Sequence, residues 1–183
     1  MSKIGRKPIE VSNVKLDMQG NEVHYTGPKA AGVYYLPESL TTKVEGNKLF
    51  VLPNESTGKK LKKRELNREW GMHRALLANE LIGAQKPFEK QVEIVGLGYK
   101  AAQAGDKLIF TLGYSHKIDF PLPKQVAVSI DKTGQKLLLS STDKELLGLT
   151  CSKICDLRPP EPYKGTGIKL AGQQIIRKES KGK

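Results

Sequence analysis

Gln19-Gly20-Asn21-Glu22-Val23-His24-Tyr25-Thr26 and Ala104-Gly105-Asp106-Lys107-Leu108-Ile109-Phe110-Thr111 read alike. Each reads as a turn carrying glycine followed by an alternating strand. The likeness extends outward. Tyr35-Leu36-Pro37 matches Pro121-Leu122-Pro123, and Leu49-Phe50-Val51 matches Leu137-Leu138-Leu139, all at offsets of 85–88 residues. Each half then closes on a helical pattern. Features recurring in one order at one spacing indicate an internal duplication.

In the first half, residues 14–18 and 23–25 alternate about Gly20-Asn21, and 33–36, 42–45 and 48–52 read as further strands, the last two about Gly46-Asn47. A helix is expected over 58–82, with Leu66, Trp70, His73, Leu77 and Leu81 on one face and Gly83 as its stop. The second half repeats the plan with strands at 92–95, 99–104, 107–112, 117–120, 126–130 and 136–140, and turns at Gly105-Asp106 and Thr133-Gly134. Thr142 and Glu145 have the spacing of a capping box. Leu147, Cys151 and Ile154 form the buried face of the helix that follows, and Arg158-Pro159-Pro160 ends it. Strands joined by tight turns are antiparallel. The expected fold is therefore α+β, with two similar tandem domains, 1–83 and 84–183. Each is a small, mostly antiparallel sheet covered by one helix. Residues 158–183 add a basic tail, expected to be disordered or extended beyond Pro162.

Charge speaks to partners rather than fold. The 183 residues carry 31 Lys and Arg against 19 Asp and Glu, a net charge of +12. Such an excess points to a polyanion, either nucleic acid or anionic lipid. No apolar run reaches the roughly 18 residues that a membrane span needs, and no apolar stretch follows the basic start to make a secretory signal. Two cysteines make no disulfide framework, so a reducing cytosol is expected. Residues 158–183 hold 7 basic and 2 acidic side chains, a denser net charge than residues 1–83 or 84–157 taken as wholes.

In that tail Arg158, Lys164, Lys169, Arg177, Lys178, Lys181 and Lys183 are interleaved with Tyr163, Gly165 and Gly167. Cations neutralise phosphates and release counterions, glycines let a backbone approach closely, and a tyrosine can stack on an unpaired base. A rigid Pro-Pro start favours a positioned element over a solvated tail. Neither Lys164 nor Gly165 is expected in a core. The run Lys59, Lys60, Lys62, Lys63, Arg64, Arg68 opposes the helix dipole, and RNA contact and a merely solvated helix start both stay open. Gly96-Leu97-Gly98-Tyr99-Lys100 lacks the third glycine and the following helix of a dinucleotide loop, and reads as a bulge between strands. For Gly113-Tyr114-Ser115-His116, a plain turn and a turn reaching RNA are both open. Cys151 and Cys155 lack a second pair or a nearby histidine for zinc, and read as core residues. His73 reads as a packing residue. No nucleophile elbow, P-loop or clustered carboxylates with histidine argue for an RNA-processing enzyme.

Arg158-Pro159-Pro160-Glu161-Pro162-Tyr163-Lys164-Gly165-Thr166-Gly167-Ile168 resembles the signature of the bacterial family of the sixth large-subunit ribosomal protein. Ser2-Lys3-Ile4-Gly5-Arg6-Lys7-Pro8-Ile9, Val95-Gly96-Leu97-Gly98-Tyr99-Lys100-Ala101 and Leu112-Gly113-Tyr114-Ser115-His116 are similar to other stretches of that family. The resemblance spans the chain. It implies two α+β domains, no catalysis, no cofactor, no metal and no small-molecule substrate. It implies a cytoplasmic, ribosome-bound protein without a membrane. Its implied partners are large-subunit ribosomal RNA near the sarcin–ricin loop and neighbouring large-subunit proteins at the base of the factor-binding stalk. The implied RNA-binding residues are Arg158, Pro159, Pro160, Tyr163, Lys164, Gly165, Gly167, Lys169, Arg177 and Lys178, with Gly96, Gly98, Tyr99, Lys100, Tyr114, Ser115 and His116.

Overall fold

A computed structural model of the chain describes residues 2–54 and 63–179. It divides into two compact units, Met1–Pro87 and Phe88–Lys183. The first unit contains β1 (Ile9–Glu10), β2 (Lys15–Gln19), β3 (Glu22–Thr26), β4 (Ala31–Tyr35), β5 (Leu40–Glu45), β6 (Lys48–Pro53) and α1 (Lys63–Gln85). The second contains β7 (Phe88–Val95), β8 (Lys100–Ala104), β9 (Lys107–Thr111), β10 (Ile118–Pro121), β11 (Val126–Ile130), β12 (Lys136–Ser141), α2 (Lys144–Asp156) and β13 (Gly167–Leu170).

In each unit the strands fall into two small sheets, and the two units share one plan. The order β2-β3-β4 in the first corresponds to β8-β9-β10 in the second, and β1-β6-β5 to β7-β12-β11. Every pairing is antiparallel. The repetition reaches single hydrogen bonds. Leu36 N–H donates to the Asn21 carbonyl at 2.8 Å, and Leu122 N–H to the Asp106 carbonyl at 2.9 Å. Leu40 N–H donates to Pro37 and Val126 N–H to Pro123, both at 3.0 Å. Gly20 and Gly105, one residue before each of the two acceptors, have φ of 63° and 60°, the left-handed backbone that these hairpin turns need. The α+β duplication expected from the sequence is the fold observed.

Alternation sets the cores. Val23 and Tyr25 on β3, and Leu49 and Val51 on β6, turn inward to meet Trp70, Leu77 and Leu81 of α1. The Trp70 indole N–H donates to the Val51 carbonyl at 2.7 Å, fixing helix against strand. His73 packs edge-on against Tyr34, its Nδ1 2.8 Å from the phenol oxygen, and burial lowers its pKa. In the second unit Leu108 and Phe110 of β9, and Leu137 and Leu139 of β12, meet Leu147, Cys151 and Ile154 of α2. Cys155 packs partly buried beside this core. Burial raises both thiols above their ordinary pKa, so neither is an activated nucleophile.

Three expectations need correction. Gly83 does not end α1, which runs to Gln85. Ala84 is buried in the first core and its carbonyl accepts from Lys29 N–H at 3.0 Å, so tertiary contact outweighs the glycine's cost. The expected start of that helix at Gly58 lies outside the described residues, as do Lys59, Lys60 and Lys62; Arg64 and Arg68 are exposed. Second, the cap of α2 is Asp143, not Thr142. The Asp143 carboxylate accepts from Glu145 N–H at 2.8 Å and Leu146 N–H at 3.2 Å. Asp143→Ala should therefore cost about 1 kcal/mol in urea unfolding, while Thr142→Ala leaves the midpoint nearly unchanged. Third, the tail is not loose beyond Pro162. It returns to the second sheet as β13, pairing Ile168 with Ile94 and Lys169 with Glu93. Ile168 is fully buried. Burying a side chain of this size stabilises by roughly 1.5–3 kcal/mol, enough to dock a four-residue strand whose sheet edge already exists.

Candidate nucleic-acid interface

The Pro-rich segment leaves α2 at the helix cap Leu157. Each proline fixes its own φ, and disfavours helical backbone in the residue before it. The chain therefore departs extended and reverses at once. Glu161 N–H donates to the Thr166 carbonyl at 2.9 Å, and Gly165 N–H to the Glu161 carbonyl at 3.0 Å. The Thr166 hydroxyl adds a bond to the Glu161 carboxylate at 3.2 Å. Residues 161–166 thus form a closed loop with Pro162, Tyr163 and Lys164 at its tip. Tyr163 is 54% exposed and Lys164 is exposed. Gly165 is buried with φ of 72°, and Gly167 is buried with φ of 142°. Ile168 N–H then donates to the Arg158 carbonyl at 2.8 Å and closes the base of the arm.

The last described residues fold back on this loop. Lys178 N–H donates to the Pro162 carbonyl at 2.9 Å, and the Arg177 guanidinium lies 3.4 Å from where a Cβ on Gly165 would stand. Tyr163, Lys164, Arg177 and Lys178 are therefore gathered about one loop. An open groove of about 370 Å³ runs beside it, lined by Val95, Gly165, Lys169, Gln173, Gln174, Ile175 and Arg177. Lys169 sits on β13 with its ammonium 3.5 Å from the Glu93 carboxylate, so a phosphate would compete with that pair. Lys181 and Lys183 lie outside the described residues.

Arg158 points elsewhere. Its guanidinium lies 4.6 Å over the Tyr114 ring and 5.7 Å over the Tyr99 ring. Tyr114 in turn is near-parallel to His116, with centroids 6.1 Å apart and planes at 23°. Ser115, His116 and Lys100 are exposed, and Pro159 is exposed beside a half-buried Pro160. The Gly96-Leu97-Gly98 segment is a tight turn rather than a bulge, with Tyr99 N–H donating to the Gly96 carbonyl at 3.3 Å. Tyr99 packs over Gly96 and Gly113, where an added Cβ would fall 2.5 Å and 2.9 Å from its ring. Two turns that the sequence presents separately therefore meet at Arg158. Gln173 and Gln174, the Lys169–Glu93 pair and the exposed Leu97 also border this surface and carry no motif in the sequence. A large apolar residue between two glycines was the one signal available for Leu97.

Among the described residues no helix is long and apolar enough to cross a membrane. The family model described as ribosomal protein L6 matches residues 95–170, which span the Gly96–Tyr99 turn, the Tyr114 turn, the Pro-rich arm and β13. Full-length relatives carry the name large ribosomal subunit protein uL6. The chain is 42% identical to that of Anaeromyxobacter dehalogenans, covering 99% of this chain and 98% of the relative. It is 39% identical to that of Beijerinckia indica over the whole of both chains. With the protein of Picosynechococcus it shares 36% identity over 99% and 98% of the two. The likeness thus runs through both units of the duplication, and the chain belongs to the ribosomal protein L6 family.

Proposed function

We propose that this chain is a structural, non-enzymatic constituent of the large ribosomal subunit that binds large-subunit ribosomal RNA through its second unit and C-terminal arm. The single observation that carries this reading is the arm itself. A cation-rich segment is tied by backbone hydrogen bonds at Glu161, Gly165, Ile168 and Lys178, so its lysine and tyrosine stand at a fixed place. Positioning charges before binding lowers the entropy lost when RNA arrives. Family membership supplies the partner. By resemblance to the family, the RNA surface lies near the sarcin–ricin loop, and neighbouring proteins at the stalk base complete the surroundings in the cytoplasmic ribosome.

The test is the salt dependence of binding to a large-subunit ribosomal RNA fragment. Four or more neutralised phosphates at about 0.7–0.9 each predict a log–log slope steeper than about −3. Lys164→Ala should flatten that slope by about one and leave thermal unfolding of the free protein unchanged, because Lys164 is exposed. A slope near zero would overturn the electrostatic reading.

A further inference from the structure

We propose that the turn at residues 113–116 is a stacking ledge for one unpaired RNA base. The proposal rests on the RNA-binding reading above and names what one part of that surface takes. Tyr114 is 43% exposed and lies on a turn, where an aromatic side chain ordinarily moves freely. This one is held. Its hydroxyl donates to the Leu157 carbonyl at 3.3 Å, and Arg158 covers its ring at 4.6 Å. Arg158 is steadied by Tyr99, and Tyr99 is seated on Gly96 and Gly113. Fixing an exposed side chain costs conformational entropy, and here the Leu157 hydrogen bond and the Arg158 contact meet that cost before any ligand arrives. A flat partner landing on a ring already in place loses less entropy on binding.

The chemistry favours a base over a phosphate. Arg158, the cation at the centre of the cluster, faces tyrosine rings. The turn offers solvent a phenol, a hydroxyl and an imidazole nearly parallel to the phenol. On the adjoining turn Leu97 is fully exposed, an apolar surface that a base or ribose would cover. A duplex hides its base faces within the stack, so the ligand is a base extruded from a bulge or loop.

The test uses the full chain and two RNA hairpins of equal length. In one, a single 2-aminopurine is bulged; in the other it is paired within the stem. Stacking on an aromatic ledge predicts about tenfold tighter binding of the bulged hairpin, with quenching of its fluorescence. His116→Ala and Tyr114→Leu should remove most of that preference, read as the ratio of the two affinities, and most of the quench, and Tyr114→Phe, which keeps the ring, should keep most of both. His116 is exposed on the turn, so its variant keeps the test valid if Tyr114→Leu loosens the fold. Equal binding of the two hairpins, or an undiminished preference in His116→Ala, overturns the ledge and leaves the RNA-binding reading standing. Binding of neither hairpin overturns both.

Discussion

Gly167→Ala should detach β13 from the second sheet. A Cβ at this position would lie 2.7 Å from the Pro159 carbonyl oxygen, 2.7 Å from the Pro160 Cα and 2.9 Å from the Arg158 carbonyl oxygen. All three are backbone atoms of a segment already restricted by two prolines, so none can swing aside. The φ of 142° adds strain for any side chain. Overpacking costs about 1–3 kcal/mol and an unfavourable positive φ about 1–2 kcal/mol, which together predict a loss of about 3 kcal/mol or undocking of the strand. Undocking would expose Ile168 and free the arm, so RNA affinity should fall with stability. Gly172→Ala is the control, since its φ is 78° but among the described residues nothing stands within 4 Å of its Cβ position. Its cost should be about 1 kcal/mol, from backbone strain alone. Urea unfolding and hydrogen exchange at the Ile168 and Lys169 amides measure both. A Gly167→Ala protein as stable as the parent would mean that β13 is not packed as described.

Separated fragments should differ in RNA affinity by orders of magnitude. We propose residues 88–183 as an independent RNA-binding domain and 1–87 as a domain that folds but binds poorly. The cut belongs after Pro87 rather than at Gly83, because Ala84 is buried in the first core and β7 begins at Phe88. A fragment ending at Gly83 would lose Ala84 and the bond its carbonyl accepts from Lys29. The second fragment should unfold cooperatively and keep most of the affinity of the whole chain for a large-subunit RNA fragment. Tighter binding by the first fragment would place the RNA face on the wrong unit.

Gly165→Val shows how the structure changes an expectation. The sequence puts Gly165 in a loose tail, where substitution would spare the free protein. In the structure it is buried with a left-handed backbone beside Arg177. A β-branched residue there should destabilise the free arm as well as weaken RNA binding.

What was legible in the sequence had a local cause. Alternation in 23–25 and a short β-rich apolar run at 108–110, each preceded by a glycine turn at Gly20 or Gly105, read as strands, and repetition of the turn-and-strand order made the duplication readable. What was not legible depended on partners distant in the chain. β13 has only Ile168 and Leu170 as apolar residues, and its reason to be a strand is the free edge of β7. The cap of α2 lay between two adjacent candidates, Thr142 and Asp143, and only the backbone at Asp143, φ −92° and ψ 116°, aims its carboxylate at the helix amides. In the candidate interface, the tail residues were visible as charge and glycine. The seating of Arg158 on Tyr99 and Tyr114 has no periodic trace, because those three residues come from two turns and the segment that leaves α2.

Sedimentation decides whether this chain is a constituent of the large subunit. A lysate carrying the native protein is run on a sucrose gradient under conditions that separate the subunits, and the fractions are probed for this chain. The protein should travel with the large subunit and leave it only when salt is raised far enough to compete with phosphate contacts. A protein that stays at the top of the gradient with free proteins at low salt, while the other large-subunit proteins sediment, would contradict that.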